Sequence, residues 1–194
     1  MAKDYVWLKP VSKENAARFK AIKNFDEDYL LADCVSLVDE FPENAEIRMN
    51  DDFPDNIGLY DTHFVIGDIF IASERLMKYI KNGDEKNVEF FPIKVLNHKG
   101  REVKEKYFVV NILNLVDCIV KEKTTYKTNS LNEDMYIEVK NLHIDETKID
   151  KKFILFRIKH LNYNIVVQRK FAQDMLAQGF KYFELFEVEQ IEGN

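Results

Sequence analysis

Four histidines, two cysteines, four serines and six glycines are the residues with which this chain could build a reactive centre. Asp61 with His63, and His143 with Asp145, are two positions apart. That spacing sets both side chains on one face of a strand, and a carboxylate beside an imidazole is a pairing used in acid/base catalysis. In a chain with 34 acids such pairs also arise by chance, so neither carries a catalytic assignment. No two of His63, His98, His143 and His160 are four apart on a helix, and there is no C-x-x-C, so no metal site is expected. Cys118 lies among Val116, Ile119 and Val120, and burial there would raise its thiol pKa and blunt it as a nucleophile. With only Cys34 beside it, the reading is two small buried hydrophobes and no disulfide framework. The glycines never come closer than nine residues apart, which excludes both the dinucleotide fingerprint and the P-loop. No serine sits in a G-x-S-x-G elbow, and Ser73 reads as a helix cap. The residues therefore assign no catalytic, cofactor-binding or metal-binding role.

Charge is the stronger signal. The 194 residues carry a formal charge of −6. Between Asn24 and Thr62 there are twelve acids against Arg48 alone, a local charge of −11, which leaves +5 on the remainder. Such an excess steers encounter with a basic partner. The candidate partner-binding residues are Asp26, Glu27, Asp28, Asp39, Glu40, Glu43, Glu46, Asp51, Asp52 and Asp55. The same pattern would also serve as a solvated face that only aids solubility. Two small basic groups, Lys121, Lys123 and Lys127 with Tyr126, and Arg157, Lys159, Arg169 and Lys170, lack the density of a nucleic-acid surface and read as solvated faces. No apolar run is long enough to span a bilayer or form a signal peptide, so no membrane partner is expected and the cytoplasm is the expected location.

The elements that would position these residues follow from patterning. Tyr5 to Leu8 reads as a first strand ending at Pro10. Ser12 could cap a short helix to about Lys23 on the stripe Ala16, Ala17, Phe19 and Ile22, and Tyr29 to Val38 reads as a strand or two. The acidic stretch broken by Pro42, Pro54 and Gly58 reads as turns. Ile69 to Ile71, a helix near 73–82, and Val88 to Val95 form a strand-helix-strand unit, with Pro92 marking an edge or a bulge. Tyr107 to Val120, Met135 to Val139, Leu142 to Ile144 and Phe153 to Ile158 read as strands, with Lys121 to Asn132 an exposed loop. A shift of 95 residues aligns positions 70–93 with the C-terminal region, twelve of the 24 matching in type, which predicts a second helix near 169–178 and related units at about 69–95 and 164–190. The expected fold is α+β, with mixed, largely antiparallel sheets and two repeated strand-helix-strand units in one domain, residues 1–194.

The order of these pieces resembles immunity protein family eleven of bacterial polymorphic toxin systems. The resemblance rests on Phe41-Pro42 leading to Arg48-Met49, on Phe53-Pro54-Asp55, and on Ile71-Ala72-Ser73-Glu74-Arg75-Leu76. It continues through Val88-Glu89-Phe90-Phe91-Pro92, Tyr107 to Leu113, Val116-Asp117-Cys118, Phe156-Arg157, and Ile165-Val166-Val167 through Phe183-Glu184. The chain departs from it at Val120 and Thr124, and at Gln168-Arg169, where a Ser-Glu pair usually opens the second helix. The resemblance implies a non-enzymatic cytosolic protein that neutralises a toxin encoded beside it by binding. Two alternatives stay open: an interaction module of a secretion or effector assembly, and a small enzyme whose His63, His143 or Asp117 converge in a pocket. Self-association is open as well.

Overall fold

The structure, a computed structural model, describes residues 3–11, 14–65 and 69–193. The strands and helices in chain order are β1 (Tyr5–Pro10), β2 (Glu46–Arg48), β3 (Thr62–Val65), β4 (Ile69–Ser73), α1 (Glu74–Gly83), β5 (Val88–Leu96), β6 (Tyr107–Ile112) and β7 (Leu115–Val116). They continue as β8 (Thr125–Thr128), β9 (Tyr136–Lys140), β10 (Leu155–Ile158), β11 (Leu161–Gln168), α2 (Arg169–Ala177) and β12 (Phe183–Glu187). The fold is α+β, with mixed, largely antiparallel sheets: β2–β5 and β7–β10 pair in parallel, whereas β1–β11, β10–β11, β3–β4, β4–β6, β5–β6 and β8–β9 pair antiparallel.

The chain divides into two compact units, Pro10–Leu113 with Phe180–Phe183, and Met1–Lys9 with Asn114–Gly179 and Glu184–Asn194. In the first, the sheet order is β2-β5-β6-β4-β3. Both β4 and β5 run antiparallel to β6, so they are parallel to each other on either side of it, and α1 carries the chain across. Ser73 ends β4 in an extended conformation and its Oγ accepts the Leu76 N–H at 3.2 Å, satisfying one of the orphan donors of the first turn. Glu74 in that turn and Lys81 in the last match the helix dipole, while Leu76 and Ile80 form the buried face. The core gathers Phe19, Ile22, Phe25, Leu31, Leu37, Ile47, Met49, Ile71, Val95 and Val109.

The second unit has the sheet order β12-β1-β11-β10-β7, with β8 and β9 forming a separate pair. Here β11 and β12 flank β1, with α2 between them in the chain. Phe156, Ile158, Leu161, Val166, Leu142 and Val188 form its core, with Cys118 wholly buried among them.

Several elements differ from the expectation. Residues 14–23 are not helical: Ala16, Phe19 and Lys23 make isolated bridges to Gly58, Met49 and Glu46, so the apolar stripe serves a long-range ladder. Ser12 lies outside the described residues. Gly58 is needed there, since a Cβ would come within 2.8 Å of the Asn15 carbonyl oxygen. Tyr29 to Val38 is not strand. It begins as a 3₁₀ turn, Asp28–Leu31, and continues in turns, with Leu31 and Leu37 anchored in the core. The loop expected at Lys121 to Asn132 contains β8. Pro92 lies inside β5, one strand in from the edge, opposite Phe108 of β6. Lys94 sends its N–H toward the β2 side, to Ala45 O, and by the strand's two-residue period the Pro92 nitrogen points the same way, short of where β2 pairing begins at Lys94. The missing donor thus costs no ladder bond.

Candidate partner-binding surface

The acidic stretch is built on two segments held side by side. The Lys23 N–H reaches Glu46 O at 2.8 Å, and Asn24 Nδ2 donates to Asn44 O at 3.0 Å. The Phe25 ring lies 4.9 Å from that of Phe41, which stacks on Phe91 of β5 at 4.5 Å. Asp26, Glu27 and Asp28 therefore follow one aromatic anchor while Asp39, Glu40 and Glu43 surround another in contact with it. Between them, Glu89 of β5 clamps the chain. Its carboxylate accepts Ser36 Oγ at 2.5 Å, Leu37 N at 3.0 Å and Asn111 Nδ2 at 2.9 Å, while Asn111 also donates to Val35 O at 2.8 Å.

Of the ten candidate acids, eight are exposed and Asp28 and Glu46 are partly buried. Burial raises the Asp28 pKa and outweighs the opposing hydrogen bond from the Tyr29 backbone N–H, with a smaller further push from the Asp26 charge. The structure divides the ten. Glu46 pairs with Lys23 at 2.7 Å, and Asp51 pairs with Lys20 at 2.8 Å and Arg48 at 3.2 Å. The hydrogen bond from Lys20 lowers the Asp51 pKa. Asp52 and Asp55 share that turn, where the Arg18 guanidinium lies 4.2 Å from the Phe53 ring centroid. Asp26, Glu27, Asp28, Asp39, Glu40 and Glu43 have no ion pair among the described residues.

One feature of this segment has little sequence signal. Tyr29, Val35 and Val38 are 55%, 42% and 65% exposed, although their types suggest a strand facing a core. The only hint is apolar residues set singly among acids with no Lys or Arg from 24 to 47.

The residues considered for catalysis do not converge as sequence pairs. His63 is buried against Phe19, Tyr60 and Tyr107, its Nε2 accepting the Tyr60 N–H at 2.9 Å, and burial pushes its pKa down to about 4. Asp61 instead accepts Ser73 Oγ at 2.7 Å and lies 3.9 Å from Arg75, bracing the start of α1. Asp145 is taken up by the turn Glu146–Lys148, accepting Thr147 N and Oγ1 at 3.0 and 2.6 Å. Asp117 lies 3.7 Å from Lys159. His98 Nε2 contacts Asn50 O at 3.1 Å, and His160 Nδ1 contacts Asp134 O at 2.7 Å. Burial pushes the Cys118 thiol up to about 12, whereas Cys34 is only partly buried. Among the described residues no three His, Cys, Asp or Glu side chains gather as a metal cluster would require.

The two basic groups are also altered by folding. Arg157 is 1% exposed, with an Nη1 donating to Asn162 O at 2.6 Å, so it belongs to the interior and not to a solvated face. Lys127 pairs with Glu138 and Arg169 with Glu187, at 2.9 and 2.6 Å. No helix among the described residues is long and apolar enough to cross a membrane.

A family description, "Immunity protein family (Imm11)", matches residues 7–190. No curated protein matches the chain.

Proposed function

Given that the chain belongs to the Imm11 immunity protein family, we infer that it binds and neutralises a cognate antibacterial toxin encoded nearby, in the cytoplasm and without catalysis. The family match across nearly the whole chain carries this reading. The geometry is consistent with a binder: its polar groups are spent on caps, clamps and ion pairs, while a block of acids is left facing solvent. Asp26, Glu27, Asp28, Asp39, Glu40, Glu43, Glu46, Asp51, Asp52 and Asp55 are the proposed contact region. Toxins that act on nucleic acid or anionic membranes present basic surfaces, which an acidic face can attract and cover.

Expressing the neighbouring toxin gene in a sensitive host, with and without this chain, tests the reading. Growth rescued by the chain, with a stoichiometric complex on copurification, is the expected result. The absence of both rescue and a complex overturns it, and capture of a large multi-subunit machine would point instead to an assembly module.

A further inference from the structure

We propose that the docking surface is the stretch Asp26 to Glu43, with Tyr29, Val35 and Val38 as its apolar centre, and that its occupant is a basic protein surface presenting an apolar or aromatic side chain among Lys and Arg residues. The inference rests on the binding role above and deepens it by naming the site and the partner's chemistry.

Single exposed apolar residues need no explanation, but here they are concentrated in one short stretch of the chain. Of the eight large hydrophobics exposed among the described residues, three fall within ten positions of one another. They sit on a held frame. Leu31 and Leu37 are fixed in the core, Glu89 clamps Ser36 and Leu37, Asn111 holds the Val35 carbonyl, and the Phe25, Phe41 and Phe91 rings anchor the ends. A surface ordered before binding loses little conformational entropy on docking, so exposed apolar area on it converts efficiently into affinity.

The charge then selects the occupant. Asp26, Glu27, Asp28, Asp33, Asp39, Glu40 and Glu43 flank the apolar residues, and the stretch contains no Lys or Arg. An apolar centre inside a charged rim is the usual anatomy of a protein interface, with the rim governing approach and register. Nucleic acid and anionic lipid are repelled by this sign. A symmetric dimer through the same face is disfavoured, because an isologous contact would set the seven acids against their own copies. This surface is narrower than the ten-acid contact region proposed above: Glu46 and Asp51 fall outside it, since Lys20, Lys23 and Arg48 already neutralise them.

The test places a photo-crosslinking amino acid at Tyr29 or Val38, and for comparison at Ile57 or Leu131, in the full chain expressed in its own bacterium with the neighbouring genes. The expected result is one adduct, with a protein of basic pI identified by mass spectrometry, at positions 29 and 38 only. With that protein purified, Tyr29→Ser and Val38→Ser should each weaken binding about tenfold. Neutralising Asp26, Glu27, Asp39 and Glu40 together should slow association about tenfold at low salt and hardly at all at high salt. Adducts only at 57 or 131, with an acidic protein, with a second copy of this chain, or at no position, overturn the proposal. A basic adduct against which the chain gives no protection overturns the immunity reading and leaves this surface standing. Protection with adducts elsewhere does the reverse.

Discussion

His63 should make the first unit acid-labile in a calculable way. The ring is 5% exposed and enclosed by Phe19, Tyr60 and Tyr107, with centroids at 5.1, 6.1 and 5.7 Å. Burial lowers its folded-state pKa to about 4 from the ordinary 6.5. Protonation would also turn Nε2 into a donor facing the Tyr60 N–H it now accepts. Because the folded value lies below the unfolded one, the neutral ring's contribution is complete above about pH 6.5 and is lost as the pH falls toward 4. The gap of about 2.5 between the two values corresponds to about 3 kcal/mol in total, of which about 2 kcal/mol is lost between pH 7 and pH 5. Urea unfolding followed by far-ultraviolet circular dichroism at pH 7, 6 and 5 measures it, with His63→Gln as the reference because a glutamine carbonyl can still accept from Tyr60. Trp7 belongs to the other unit, so its fluorescence is the wrong reporter. The wild type should lose about 2 kcal/mol more than the variant over that range. Parallel pH profiles for the two proteins would refute the reasoning, since the other three histidines are common to both.

Ser73→Ala removes the cap on Leu76 N and a hydrogen bond to Asp61, and should cost about 1 to 2 kcal/mol in thermal or urea unfolding; a loss below the error of the measurement would contradict the cap. Native Cys118 should resist iodoacetamide at pH 8 while Cys34 is alkylated, and both should react in urea, as peptide mass spectrometry would record. The Asp51 carboxyl should titrate below ordinary aspartates by NMR and move back up in Lys20→Met, because the Lys20 hydrogen bond is the first cause of its depression.

The local signals were legible wherever neighbours in the chain decide the structure. Ser73 followed by Glu74 and the Leu76, Ile80 face specify α1 through its own backbone donors, and the α+β class follows from two helices set among long successions of β-rich runs. The acidic excess, the absence of clustered glycine and the absence of paired metal ligands are likewise properties of composition and spacing. The Ala16, Phe19 and Ile22 stripe misled because its period fits a helix, yet the bridging partners of Ala16 and Phe19 lie 42 and 30 residues away, and a short local helix does not outweigh that ladder.

Only tertiary structure decided which acids remain available. Lys20 and Lys23 lie outside the acidic stretch in sequence, but the Phe19 to Met49 and Lys23 to Glu46 bridges carry them onto Asp51 and Glu46. It also decided that Tyr29, Val35 and Val38 face solvent, because Glu89 and Asn111, more than 50 residues along the chain, fix the turns between them. The sequence by itself determined how much negative charge this protein carries and roughly where. Coulomb energy falls with distance in space and not along the chain, so the fold alone determined how much of that charge is left for a partner.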